Sequence, residues 1–396
     1  MSQQKFQKYF LNLNGYDDGS LLEKIFSILG LIQTNLLEVH HVTLHKILSL
    51  MLIIEIHEKD DVPFILQNLE KINNIRVHLQ PLQQGPLEAC HHPYILTLLG
   101  RNLSPKILKS ILSHLNKQNL QITSISPLDA EQVQVLEMKI NSAKPLVRQN
   151  LMMELLNLRT SHQVDLALQP DDLFRRNKRL IFLDADKTFI QCEMINEISR
   201  LIGSEKEVQQ ITEQAMNGEI DFREALTQRV RTLKGVRLSD LERLILNIPF
   251  TPGVERLVQI LKMLGYCIGI VSGGFSIVID HIRERFELDY GFANTLEIKD
   301  GQLTGRILGD IIDGPMKAQL LREVSRTNNF SPEQVIAVGD GANDLEMLSE
   351  ASLGIAFNAN HFLRERASGS LSLPNLDALL YFIGVPRSDV KALQLL

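Results

Sequence analysis

Near its start the chain alternates. Tyr9-Phe-Leu-Asn-Leu-Asn sets apolar and polar side chains on opposite faces, which predicts a strand with one face buried. Gly15-Tyr-Asp-Asp-Gly19 predicts a turn. From Ser20 to Ile32 the period changes, and Leu21, Leu22, Ile25, Phe26 and Leu29 form one stripe of a helix. Asn35–His41 and Leu48–Ile56 predict paired strands, Val62–Ile72 a second amphipathic helix and Ile75–Leu79 a closing strand. The order then recurs: strand Tyr94–Gly100, helix Ser104–Leu115 with Ser104 as N-cap, strands Leu120–Ile125 and Val133–Ile140, helix Leu146–Leu158 and strand Val164–Leu168. Each copy reads β-α-β-β-α-β, a ferredoxin-like α+β unit, over residues 1–85 and 90–170.

Pro170–Lys178 is polar and reads as a linker. Beyond it the pattern is of another kind. Leu180–Leu183 is apolar without alternation, as in a strand buried on both faces of a parallel sheet. Tyr266–Val271, Val335–Val338 and Leu353–Phe357 repeat that signature. Helical spacing covers Met194–Gly203, Glu205–Asn217, Phe222–Lys234 and Leu241–Leu246, an insert at about 190–250 that suits a cap over the sheet edge. Further helices are expected from Pro252-Gly253 to Leu264, over Phe275–Phe286, Pro315–Arg326 and Asn375–Ile383, and a hairpin over Phe292–Ile307; Pro386–Leu396 carries no clear pattern. The prediction is an α/β doubly wound parallel sheet with a helical cap over 178–385, preceded by two ferredoxin-like domains.

Composition narrows the field. With 396 residues the chain is suited to two or three domains, and its net charge of −6 gives no footprint for nucleic acid. The longest apolar stretch, near Ile47–Ile54, is too short to span a bilayer, and the amino terminus lacks a signal-peptide core, so a cytoplasmic protein without a membrane partner is expected. Cys90, Cys192 and Cys267 lack metal-ligand spacing and read as free thiols. The pairs His40-His41 and His91-His92 point to opposite faces of a strand and make no natural chelate.

Candidate chemistry gathers at strand ends. The first buried strand runs into Asp184 and Asp186, the second into Ser272-Gly273-Gly274, the third into Asp340-Gly-Ala-Asn343-Asp344, and Lys317 lies in a helix before the third. In open α/β sheets the carboxyl edge is where ligands bind. Two carboxylates two residues apart favour a bound cation or a shared proton.

Asp-x-Asp-x-Thr, then Ser-Gly-Gly, Lys, and Gly-Asp-Gly-x-Asn-Asp, in that order, resembles the haloacid dehalogenase superfamily. Glu193, the run Asp221-Phe222-Arg-Glu-Ala-Leu-Thr-Gln-Arg229, Val271-Ser-Gly-Gly-Phe275 and Asp289-Tyr-Gly-Phe-Ala-Asn294 point within it to phosphoserine phosphatases, over about Lys178 to Ile383. The resemblance implies Mg²⁺-dependent hydrolysis of O-phosphoserine through an aspartyl-phosphate, the last step of serine biosynthesis. It makes Asp184 the nucleophile and Asp186 the general acid and base. The metal falls to Asp184, the Asp186 backbone carbonyl and Asp340, with Asp344 and Thr188 in support. Ser272, Gly273 and Lys317 fall to the phosphoryl group, Asn343 to the substrate, Arg229 to the substrate carboxylate, Glu193 to its ammonium, and Phe222 to the closed cap. The front half resembles tandem ACT domains, which implies a homodimer and an amino-acid effector at the Gly15–Gly19 turn, where helix N-terminal N–H groups favour a carboxylate.

One position departs from the pattern: Lys187 stands where the family has Ser. As the strand-end neighbour of Asp186 it is expected to face away from phosphate. Two other readings stay open, a phosphatase of the same superfamily acting on another phosphomonoester or a phosphoprotein, and a weakly active amino-acid-sensing regulator.

Overall fold

The computed structural model describes residues 7–58, 61–82, 92–129, 134–148, 150–155 and 164–393, so Cys90 and His91 lie outside the described residues. The chain divides into two compact units, Met1–Glu88 and Ala89–Leu396.

In the first unit, β1 (Gln7–Tyr16), α1 (Leu21–Leu29), β2 (Thr34–Leu44), β3 (Ile47–Ile56), α2 (Asp61–Glu70) and β4 (Ile75–Pro81) follow one another. The sheet order is β2-β3-β1-β4, antiparallel throughout. Tyr9, Leu11 and Leu13 of β1 pack with Leu21, Ile25 and Leu29 of α1 and with Leu48, Leu50, Leu52 and Ile54 of β3. The alternation of β1 thus records a sheet with helices on one face. Strand β2 buries none of its side chains and leaves Leu36, Val39, Val42 and Leu44 exposed.

The second unit begins with the same order. It runs β5 (His92–Gly100), α3 (Pro105–Lys117), β6 (Gln121–Asp129), β7 (Gln134–Ser142), a helix α4 described over 150–155, and β8 (Asp165–Pro170). Ser104 sits at the N-cap of α3, but its side chain makes no capping hydrogen bond.

The strands of the α/β core follow: β9 (Leu180–Asp184), β10 (Cys267–Phe275), β11 (Tyr290–Lys299), β12 (Gln302–Leu308), β13 (Val335–Gly339), β14 (Leu353–Phe357) and β15 (Gly369–Leu371). All share one eleven-stranded sheet with the preceding module, in the order β12-β11-β10-β9-β13-β14-β15-β8-β5-β7-β6. The join is the antiparallel pair β15–β8, with Gly369 opposite Ala167. β9 to β11 and β13 to β15 are parallel.

The unbroken apolar runs have a direct cause. Along β9, Ile181 and Leu183 enter one core while Leu180 and Phe182 enter another, and β13 divides its residues the same way. One core takes α9 (Val254–Met263) and α10 (Ser276–Phe286), the other α11 (Gly314–Thr327) and α12 (Leu345–Glu350). The insert contains α5 (Met194–Arg200), α6 (Glu205–Met216), α7 (Phe222–Thr232) and α8 (Leu238–Ile245).

Three expectations need correction. The polar segment Pro170–Lys178 is not a free linker: Arg175 is buried against Glu137, and Lys178 Nζ donates to the Glu333 carbonyl at 2.5 Å and to Ser352 Oγ at 2.6 Å. The homodimer that the ACT resemblance implies does not find its surface on the sheet face of the second module that carries Leu99, Val135 and Ala167. Leu99, Val135 and Ala167 belong to the core that holds Leu376, Leu379, Phe382 and Val390, so the carboxyl-terminal segment covers them. The final helix is a 3₁₀ turn at Leu376–Ala378 followed by α14 (Leu379–Phe382), and α15 (Arg387–Ala392) occupies the stretch without a clear pattern.

Candidate active site

Parallel pairing brings the strand ends together. Val271 lies opposite Asp184 across β10 and β9, and β13 flanks β9 on the other side. Asp184 therefore ends the central strand, buried at 4% exposure. Carboxylate oxygens of Asp184, Asp340 and Asp344 lie within 4.8 Å of one another.

Lys317, wholly buried near the start of α11, donates to Asp184 Oδ1 at 2.5 Å and to Asp344 Oδ1 at 2.7 Å. Burial opposes its charged form, but the two carboxylates outweigh burial and hold the ammonium above the ordinary lysine value. Asp344 Oδ2 accepts from the backbone N–H groups of Asp340 at 3.1 Å and Gly341 at 3.0 Å, which fixes the loop after β13. Burial, then the Asp344 charge, raises Asp184 well above its ordinary value. The same two causes carry Asp340 to about 7. Asp186 rises to about 6 through burial, against a hydrogen bond from the Met194 N–H to its Oδ1 at 3.3 Å. At about 6, Asp186 holds a proton for a minor but ready fraction of the time at neutral pH, which suits a group that both gives and takes one.

Three clustered carboxylates fit a divalent cation such as Mg²⁺, which takes carboxylates, waters and phosphate. The side chain of Asp186 stands outside the trio, so its contribution to an ion would come from the backbone. The hydroxyl of Thr188 is wholly buried and has no hydrogen-bond partner.

β10 ends in the Ser272-Gly273-Gly274 loop. Ser272 Oγ accepts from the Gly274 N–H at 2.8 Å. A Cβ on Gly274 would meet Ser272 Oγ at 3.0 Å and Asp186 Oδ2 at 3.3 Å, and one on Gly273 would meet Phe222 Cζ at 3.1 Å. Both glycines thus permit close approach. The site residues chosen from sequence omit Asn294. It is buried, donates to the Gly273 carbonyl at 2.9 Å and accepts from the Ile312 N–H at 2.8 Å. Its signal was its place in the Asp289–Asn294 run, and its part is to pin the Ser-Gly-Gly loop. Asp313 was also missed. It caps α11 by accepting from the Met316 N–H and pairs with Arg223 Nε at 2.7 Å, tying the cap to the helix that carries Lys317.

A cavity of about 150 Å³ opens beside Asp184 and Asp186, with Glu193, Phe222, Arg229, Gly273 and Asn343 in its walls. Arg229 is held by a hydrogen bond from its Nε to the Ala225 carbonyl at 3.3 Å, and burial lowers its pKa, partly offset by Glu193. Ser272 and Lys317 are buried and are not among the wall residues.

Lys187 does not face away from the site. Its φ of +59° departs from the extended conformation that the alternation assumed, and its ammonium bonds to Glu193 Oε1. Glu193 Oε2 accepts from Asn196 Nδ2 at 2.8 Å. Both oxygens of the residue expected to take a substrate ammonium are therefore engaged within the chain.

Known proteins resemble this chain. A haloacid dehalogenase-like hydrolase family model matches residues 178–352. A phosphoserine phosphatase of Mycobacterium tuberculosis is 33% identical over 390 residues, 96% of this chain and 94% of that protein. One of Streptomyces coelicolor is 38% identical over 298 residues, 75% of this chain and 72% of the relative. A solved HAD family hydrolase of Salmonella enterica serovar Typhi superposes with a TM-score of 0.64 at 29% identity, covering 73% of this chain and 98% of that one. Similarity across nearly the full length of a relative, on a haloacid dehalogenase-like core, places this chain in the phosphoserine phosphatase family.

Proposed function

We propose that the protein hydrolyses O-phosphoserine to serine and phosphate through an aspartyl-phosphate on Asp184. The observation that carries this reading is the cavity beside Asp184 and Asp186, with Gly273 and Arg229 in its walls. An Asp184 oxygen attacks phosphorus and the bond to the serine oxygen breaks. Asp186, raised to about 6, gives that oxygen its proton. Asp186 then takes a proton from water, which attacks the acyl phosphate; phosphate leaves and Asp184 is regenerated. Mg²⁺ held by Asp184, Asp340 and the Asp186 carbonyl, with Asp344 beside it, would supply charge neutralisation at the phosphoryl oxygens. Ser272, the Gly273 N–H, Lys317 and Asn343 orient the phosphoryl group, and Phe222 excludes water. From its sequence we expect a cytoplasmic enzyme. No helix among the described residues is long and apolar enough to cross a membrane.

Arg229 suits the substrate carboxylate because a guanidinium binds it bidentately. The test is phosphate release with Mg²⁺ from O-phosphoserine and from a phosphate ester lacking the carboxylate. Arg229→Ala is expected to raise KM for O-phosphoserine roughly tenfold to a hundredfold, the usual cost of a lost charged hydrogen bond, and to spare the other ester. Equal losses on both would remove this role from Arg229.

Lys187 bears on the ammonium. To reach Glu193, the substrate's amine has to displace it or share the carboxylate. Lys187→Ser is expected to lower KM for O-phosphoserine several-fold, of the order of one weakly competed ion pair, and to increase the preference over the amine-free analogue. An unchanged preference would show that Glu193 does not read the amine.

The two front modules we read as ACT-type, pairing two chains into a homodimer through the apolar side chains exposed on β2. An amino acid, with serine first, is the candidate effector. Its seat is not the bare turn: N–H groups of Gly19 and Ser20 are already taken by Asp17 and Asp18 at 2.9 Å. Sedimentation of the full chain is expected to give a dimer, and Val39→Asp with Val42→Asp a monomer. A wild-type monomer overturns the pairing.

A further inference from the structure

A second cavity in the second unit lies apart from the one beside Asp184. It encloses about 410 Å³ between the loop after β5 and the carboxyl-terminal segment. That volume is in the range of small-ligand sites. Its walls carry three guanidiniums, of Arg101, Arg256 and Arg387, against one carboxylate, of Asp377. Asp377 is already paired with Arg256 Nη1 at 2.7 Å.

Arg387 Nε is buried without a hydrogen-bond partner. A buried guanidinium nitrogen left unsatisfied is costly unless something accepts from it. Arg101, exposed at the rim, makes no ion pair among the described residues. Leu380, Val385 and Val390 supply an apolar wall. The floor is built from both sides: Tyr381 Oη donates to Asp129 Oδ2 of β6 at 2.6 Å, and Gln169 Nε2 of β8 donates to the Phe382 carbonyl at 2.7 Å.

We propose that this cavity binds a small organic anion carrying carboxylate or phosphate groups, held by Arg101, Arg256 and Arg387. Convergent guanidiniums bind such groups bidentately, which a single surface arginine does not do. The apolar wall selects an anion with a carbon skeleton over the bare inorganic ion. A ligand seated there bridges the second front module to the catalytic core, because Arg101 belongs to the one and Arg256 and Arg387 to the other.

The experiment is calorimetry on the full chain without divalent cations, so that the acidic catalytic pocket repels anions. The probes are citrate, succinate and inorganic phosphate. At least one of the carboxylates is expected to bind one-to-one, more tightly than phosphate. Arg387→Ala and Arg101→Ala are each expected to weaken binding about tenfold to a hundredfold, while O-phosphoserine turnover with Mg²⁺ stays at the wild-type value and certifies the fold. Asp184→Asn is expected to bind the probe as wild type does. Absence of saturable binding with all three probes, or binding that neither arginine variant weakens, overturns the site. Loss of probe binding in Asp184→Asn would assign the heat to the catalytic pocket and overturn it as well. Turnover is read separately, so failure here leaves the phosphatase reading untouched.

Discussion

Asp184→Asn is expected to abolish turnover of O-phosphoserine, by roughly four orders of magnitude or more, as loss of a nucleophile does. The amide is isosteric but cannot attack phosphorus, and Asp186 cannot substitute because its side chain stands outside the carboxylate trio. Wild-type enzyme quenched during turnover is expected to yield a phosphorylated peptide containing Asp184, and the variant none. Folding is expected to survive. Burial and Asp344 make the Asp184 carboxylate unfavourable in the metal-free protein. The sign follows from linkage: an acid raised on folding gives stability that is present below its unfolded value and lost as pH rises toward the folded one. At neutral pH the neutral amide removes that penalty, though it also weakens the bond from Lys317. Metal-free Asp184→Asn is therefore expected to melt near the wild-type temperature. Retention of more than a tenth of wild-type turnover would remove Asp184 from the nucleophile's place.

The strand ends that carry Asp184, Ser272 and Asp340 could be read in advance because residue type and burial are both local. Leu180–Leu183 lacks alternation because both faces are covered, and the carboxylates follow at once. Lys187 was misread because the extended alternation stops at Asp186. A positive φ at the next residue turns the side chain toward Glu193, and no residue pattern announces that turn. Arg175 was misread for another reason. Charged residues in a polar run are usually solvated, and only the distant Glu137 makes burial tolerable. The junction of the second module with the core rests on Gly369–Leu371, three residues, too short for any periodicity to register. Asn294 could have been found, since it closes a recognised run, but its task of holding a loop appears only with Gly273 and Ile312 in place.

Lys317→Met is expected to do damage on two fronts. The side chain has no solvent exposure, and its ammonium is the cation between Asp184 and Asp344. Methionine fills the stem's volume but leaves two buried carboxylates without their partner, and breaking a buried pair from one side costs about 3–5 kcal/mol. The melting temperature of the metal-free variant is expected to fall accordingly. Lys317 is raised above its ordinary value, so its stabilising contribution is complete at every pH below that value, and the wild-type advantage is expected to persist from pH 6 to 9. Mg²⁺ should recover part of the loss, because it binds the folded carboxylates and not the unfolded chain. Turnover is a separate matter. In the proposed mechanism Lys317 acts where phosphoryl charge develops, and removing one preorganised donor is expected to lower kcat by roughly a hundredfold to a thousandfold. Saturating Mg²⁺ is expected to restore the fold without restoring kcat. Lys317→Arg is not expected to rescue either, since a planar guanidinium is larger than the fully enclosed ammonium it replaces. A metal-saturated Lys317→Met with kcat within threefold of wild type would confine Lys317 to holding the carboxylates together.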